Sequence, residues 1–233
     1  LAKMLRSQAV SIYGWDILLR GTFWPGPVIF RRLRPQLRGI AEAGHEIGMH
    51  AWDHHGWQVA AHRMPPEAVR SEIVMAHEAI TEVIGRAPTC TAAPGWRCTP
   101  GILPLRDELG YTYASDCRGH GVFQPQAGPP QVCVNLPTWD EVVGRDGITD
   151  ENFNDHIRGR MRNDGFDVLT VHAESDGGAK ATLLGSFLDQ AIADGINIVP
   201  LRDLIPDDIP SGTLKRGAVN GREGWVAVRE EEP

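Results

Sequence analysis

The sequence predicts an α/β fold made of βα units around a mainly parallel sheet, either doubly wound or closed into a barrel. Three observations carry that reading. Short apolar runs alternate with stretches at helical spacing from residue 36 onward. Gly44, Gly85 and Gly110 each stand where a helical stretch ends and an apolar run follows. Polar residues cluster directly after several of the apolar runs, and the carboxyl ends of parallel strands are where such proteins collect their chemistry.

The elements follow in order. Gln36 to Ala43 reads as a helix, and "HEIGMH" (45–50) as a short strand. Pro66 suits a helix start, and Val69, Ile73, Ala76, Ile80 and Val83-Ile84 share one face up to Gly85. "TCTAA" (89–93) is a short strand ending in the turn "PGW", and 101–109 is a helix. "YTYAS" (111–115) and "QVCVNLP" (131–137) are strands, followed by a helix from Asn152 to Arg162. "FDVLTVHA" (166–173) has the clearest strand pattern, and a helix over about 179–194 leads to a last strand, "INIVP" (196–200). These make one domain over 1–205; the polar stretch 206–233, with several Gly and Pro and a terminal "REEEP", is expected to be a loosely ordered tail.

Composition narrows the function classes. The 233 residues are 42% hydrophobic and 23% charged, enough for one sizeable core. No apolar run is long enough to span a membrane and no signal-peptide pattern opens the chain, so the expected location is cytosolic or on a membrane surface. G-x-G-x-x-G after a strand and G-x-x-x-x-G-K-[ST] are both absent, which removes support for nucleotide binding. Cys90, Cys98, Cys117 and Cys133 have no C-x-x-C spacing and read as reduced thiols. Residues 1–40 hold seven basic residues against the single acid Asp16, a net +6, which leaves −13 on the rest of a chain of net charge −7. With Tyr13, Trp15, Phe23 and Trp24 interleaved, that segment suits a membrane headgroup boundary; the acidic remainder argues against nucleic acid. A solvated basic edge would explain the same charges. Leu1 already lies inside an amphipathic pattern, so further sequence is expected ahead of it.

Four of the nine histidines fall in "HEIGMHAWDHHGW" (45–57). His50 and His54, at i and i+4 around a turn, can share one face and hold a divalent ion; two ligands are too few, and a carboxylate is the usual third. His45, His55 and His62 read as structural or solvent-facing. His172, at the end of its apolar run, is either a hydrogen-bonded core histidine or a general acid or base. Asp116, after "YTYAS", either orients such an imidazole or caps the next loop. Pro94, Gly95, Trp96 and Arg97 form a polar turn at a third strand end. Without G-x-S-x-G, a serine nucleophile has no support.

The order of H-x-x-x-H, a Pro/Trp/Arg turn, an Asp after a strand and an apolar run ending in His resembles the NodB-homology polysaccharide deacetylase superfamily. More closely, "YGWDILLRGTFWPG" (13–26), "HEIGMHAWDHHGWQ" (45–58), "APGWR" (93–97), "YASDCRG" (113–119), "LPTWDEVVGR" (136–145) and "LTVHAE" (169–174) resemble the 4-deoxy-4-formamido-L-arabinose-phosphoundecaprenol deformylases of Gram-negative bacteria. The resemblance implies an irregular (β/α)7, TIM-like barrel of NodB-homology type whose first strand would precede Leu1. It implies metal-assisted removal of formate from formamido-arabinose on undecaprenyl phosphate, at the cytoplasmic face of the inner membrane, in lipid A modification and polymyxin resistance. His50 and His54 would hold a divalent ion (Zn, Mn or Co), His172 would protonate the departing amine, and Pro94, Gly95 and Trp96 would line the substrate. The aspartate that serves as base and third ligand has no counterpart from Leu1 onward, Asp53 and Glu46 being poor substitutes, and Arg97 stands where the base-steering arginine is only approximately expected. The alternatives are an N-acetyl-sugar polysaccharide deacetylase, or a truncated chain that binds metal or lipid-linked sugar without turnover.

Overall fold

A computed structural model describes residues 28–162 and 164–230. The chain divides into two compact units. Among the described residues, the first comprises 28–32, 136–161 and 169–198; the second comprises 33–135, 162, 164–168 and 199–230. Most of the basic, aromatic opening segment lies outside the described residues, so the membrane expectation attached to it is carried only by α1 (Ile29–Arg32) and α2 (Arg34–Glu42). In α2 the cations are committed locally. Arg34 pairs with Glu82, and Arg38 Nε donates to the Val83 carbonyl at 2.8 Å.

The second unit is organised around a four-stranded sheet of order β1-β2-β4-β3. Its strands are β1 (Cys90–Thr91), β2 (Tyr113–Ala114), β3 (Val122–Phe123) and β4 (Gln131–Val132). β1, β2 and β4 run parallel, and β3 is antiparallel to β4. Met49 adds a parallel bridge to Thr91, so "HEIGMH" meets the sheet at its last apolar residue. Helix α3 (His54–Ala60) and helix α4 (Pro66–Ile84) follow. α4 buries Val69, Ile73, Ala76, Ala79 and Val83, the face that helical spacing predicts. Val69, Ile73 and Ala76 pack with Met49, Trp57, Leu103 and Phe123; burying a Val or Ile side chain contributes about 1.5–3 kcal/mol. The predicted helix at 101–109 is a 3₁₀ helix, Pro100–Leu109, with Pro104 inside it. All four cysteines are free and buried.

The first unit holds α5 (Trp139–Val142), α6 (Asp150–Arg158) and α7 (Ala181–Ala193). Leu136, Phe153, Ile157 and Phe187 form its core with Trp139, Leu169 and Leu183.

Two expectations are corrected. "FDVLTVHA" and "INIVP" are not strands among the described residues. An alternating pattern reports burial, but a strand also needs a ladder partner. Here side chains take the donors: Val168 N–H goes to Asn135 Oδ1 at 2.7 Å and His172 N–H to Asp176 Oδ2 at 2.7 Å. The stretch after residue 206 is not a loose tail. It forms an antiparallel hairpin, β5 (Leu214–Gly217) with β6 (Val226–Arg229), in register from Leu214 opposite Arg229 to Gly217 opposite Val226. Leu214, Val226 and Ala227 are buried, and Arg118 N–H donates to the Ala227 carbonyl at 2.8 Å. Its polar turn residues masked a short alternating pattern.

Candidate active site

The histidine pair is set by the junction of an extended segment with a helix. Met49 N–H donates to the Cys90 carbonyl and Ala92 N–H to the Met49 carbonyl, both at 2.9 Å, which fixes the backbone up to His50. Asp53 then caps α3, its Oδ1 accepting from Gly56 N–H at 2.9 Å. That occupies Asp53 and starts the helix at His54. The two imidazole centroids lie 5.1 Å apart, tilted by 45°.

His50 Nδ1 lies 2.7 Å from the Ala92 carbonyl. A carbonyl oxygen only accepts, so Nδ1 carries the proton and Nε2 keeps a lone pair. Metal-binding histidines are oriented by this kind of bond. Although His50 retains solvent-accessible surface, the surrounding protein desolvates it and, with His54 beside it, lowers its pKa to about 4. The imidazole is therefore neutral at pH 7, as a ligand must be. These donors fit a divalent ion. Among the described residues, no set of three His, Cys, Asp or Glu is arranged to complete its coordination.

Next to this pair sits a buried ion pair. Asp116 Oδ1 accepts from Ala93 N–H at 2.7 Å and Oδ2 from Arg106 Nη1, with both side chains fully buried. Asp116 thereby holds the residue that follows Ala92. Arg106 Nε and Nη2 are buried without a hydrogen-bond partner among the described residues.

Pro94, Gly95 and Trp96 form a 3₁₀ turn in which Gly95 has φ +58° and Trp96 φ +54°. The positive φ at Gly95 favours glycine, and a Cβ there, 2.6 Å from Gln58 Nε2, would push that side chain aside. A buried tryptophan in the left-handed region is a strained conformation of the kind that gathers at functional sites.

In the first unit, His172 is half-exposed, and its Nδ1 lies 3.7 Å from Asp140 Oδ1. Thr138 opens α5 with a capping box: Glu141 Oε2 accepts from Thr138 N–H at 3.0 Å. Thr138 Oγ1 donates to Asp140 Oδ1 at 2.7 Å, so Asp140 rides on a fixed turn.

The family model described as Polysaccharide deacetylase matches residues 19–114. The Shewanella sediminis (strain HAW-EB3) protein named "Probable 4-deoxy-4-formamido-L-arabinose-phosphoundecaprenol deformylase ArnD" is 43% identical over 231 residues, 97% of this chain and 76% of that protein. The chain belongs to this deformylase family. A Wigglesworthia glossinidia brevipalpis protein of the same name is 34% identical, across 99% of this chain and 84% of its own length. Among solved structures, a Mycobacterium smegmatis protein assigned as a polysaccharide deacetylase superposes with a TM-score of 0.62 at 22% identity, over 81% of this chain and 73% of that one; this likeness concerns the fold. The α/β class is thus a polysaccharide-deacetylase fold.

Both oxygens of Asp116 are engaged by Ala93 and Arg106. Within the first unit, the carboxylate beside His172 is Asp140. Arg97 Nη2 donates to the Glu223 carbonyl at 2.8 Å and its guanidinium lies 5.0 Å from the Trp225 ring centroid. Arg106 takes the buried place. It was hidden inside "GILPLRDEL" as an ordinary helix cation, although a lone arginine on an otherwise apolar face is a signal for a buried carboxylate. Asp140 could have been found from the T-x-x-E box of "TWDE".

Proposed function

We propose that this deformylase-family chain hydrolyses the formamide of 4-deoxy-4-formamido-L-arabinose carried on undecaprenyl phosphate, releasing formate and the free amine. The carrying observation is the 43% identity across 97% of the chain to a relative named for that reaction. The chain is accordingly a carbon–nitrogen amide hydrolase.

His50 and His54 would hold a divalent ion, Zn, Mn or Co, through the lone pair that the Ala92 carbonyl leaves on His50 Nε2. Such an ion supplies Lewis acidity toward the formyl oxygen and toward water. A carboxylate is the usual third ligand and would take the proton of the attacking water. His172 would give its proton to the departing nitrogen as the C–N bond breaks, with Asp140 Oδ1 3.7 Å from its Nδ1. The Pro94-Gly95-Trp96 turn lines the sugar. The reading extends to the irregular (β/α)7 barrel, to a peripheral place at the cytoplasmic face of the inner membrane, and to a role in lipid A aminoarabinose modification and polymyxin resistance.

The test is formate release from the formamido-arabinose lipid, with an N-acetylated sugar polymer in parallel. Preference for the polymer would replace this function with polysaccharide deacetylation. His50→Ala and His54→Ala should each strip bound divalent metal in elemental analysis; unchanged metal in both would remove the site.

A further inference from the structure

The second unit also carries a cluster of cations that hydrolysis does not use. Trp225, in the turn between β5 and β6, lies between two guanidiniums, with Arg216 Cζ 4.5 Å and Arg97 Cζ 5.0 Å from its ring centroid. Trp96 is flanked in the same way by Arg222 at 4.6 Å and Arg118 at 4.7 Å. Four guanidiniums on two indoles concentrate like charge. Burial first, then Arg222 and Arg216, lowers the pKa of Arg97. His62, edge-on to Trp225 at 5.5 Å, is lowered by burial and then by Arg63, Arg216 and Arg97.

The fold holds this cluster in place. Arg97 Nη2 is bonded to the Glu223 carbonyl, and a Cβ on Gly224, at φ +74°, would fall 2.8 Å from that nitrogen. Glycine is what lets the guanidinium lie on the turn. A cavity of about 430 Å³ opens on the same hairpin, lined by Arg118, Lys215 and Arg229 together with Asn135 and Val228. Glu230 is engaged by Thr213 Oγ1 at 2.7 Å and Lys215 Nζ at 3.4 Å. The Arg97 carbonyl accepts from the indole N–H of Trp57 at 3.0 Å, and Trp57 lies one turn after His54 on α3.

A guanidinium meets phosphate oxygens two at a time, and an aromatic face behind it keeps the fork oriented. We infer that Arg97, Arg216 and Arg222, set around Trp225 and Trp96, form a phosphate-binding site. The inference deepens the function proposed above and rests on it: the phosphate it receives is the one on the polyprenyl-linked substrate.

The experiment uses the metal-loaded full chain and its Arg216→Gln and Arg222→Gln variants. Inorganic phosphate titrated calorimetrically should bind the unaltered chain and bind the variants about tenfold or more weakly. With detergent-solubilised lipid substrate, KM should rise by a similar factor at unchanged kcat, while hydrolysis of the phosphate-free formamido sugar stays as before. Equal losses on both substrates, or no change on either, would overturn the inference. Co-sedimentation with phosphatidylcholine vesicles, with and without phosphatidylglycerol, separates the sources of phosphate. Variants that lose vesicle binding yet keep KM in detergent would assign the cluster to bilayer headgroups and overturn the substrate assignment. Phosphate binding without deformylation would sink the functional reading alone; deformylation indifferent to the arginines would sink this one alone.

Discussion

His50 and His172 both end short apolar runs, and the molecule fixes them by different means. Around His50 the backbone does the holding: Met49 pairs with Thr91, and the imidazole itself reaches the Ala92 carbonyl across that bridge. Around His172 the holding is done by carboxylates, Asp176 on the backbone N–H and Asp140 beside the ring. The main-chain anchor fixes one tautomer, while burial and the neighbouring His54 keep the imidazole neutral, as a ligand must be. At His172 a carboxylate, Asp140 Oδ1, lies 3.7 Å from Nδ1 in place of a main-chain carbonyl. One local sequence pattern is thus held in two ways, and the two histidines differ in the partner that faces Nδ1.

The largest expected effect that sharpens this contrast is at the acid. His172→Ala should lower kcat by about 10²–10⁴-fold, while elemental analysis still finds the full complement of metal. Loss of metal together with activity would show that His172 belongs with the ligands. Next comes the buried pair that steadies the ladder side. Arg106→Met should cost about 3–5 kcal/mol in urea unfolding, because it leaves the Asp116 carboxylate buried without its cation. A change below about 1 kcal/mol would mean that the pair adds little to stability.

Asp140→Asn keeps the shape of the His172 neighbourhood and removes its charge. It should cost about 10–100-fold in kcat with KM held, a size typical of groups that orient another residue. The smallest effect is a slope. The folded pKa of His50, about 4, lies below the 6.5 of the free side chain, so its neutral form stabilises the metal-free fold above pH 6.5. That contribution is lost as pH falls from 6.5 through 4. His50→Gln should flatten this part of the stability curve; an unchanged slope would assign it to other groups.

The parts legible in the sequence were those written locally. Pro66 and Gly85 bracket α4, the i, i+4 spacing of His50 and His54 survives as a 5.1 Å ring pair, and "TCTAA" and "YTYAS" supply adjacent parallel strands. What stayed hidden depends on partners distant in the chain. "FDVLTVHA" alternates like a strand yet meets side chains instead of a ladder, and a turn-rich C-terminal stretch becomes ordered by pairing with Arg118. Arg97 and Arg106 lie nine residues apart in the sequence, and only burial tells which of them faces Asp116. Spacing shows which residues a chain has available; the tertiary fold decides which pairs meet.

The fully buried indole of Trp57 has one more consequence. Its N–H ties a helix of fewer than two turns, which begins at His54, to the backbone of Arg97. With an ion and a phosphate bound as proposed, such a shared piece would make the two sites reciprocal: whatever factor the phosphate adds to ion affinity, the ion adds to phosphate affinity.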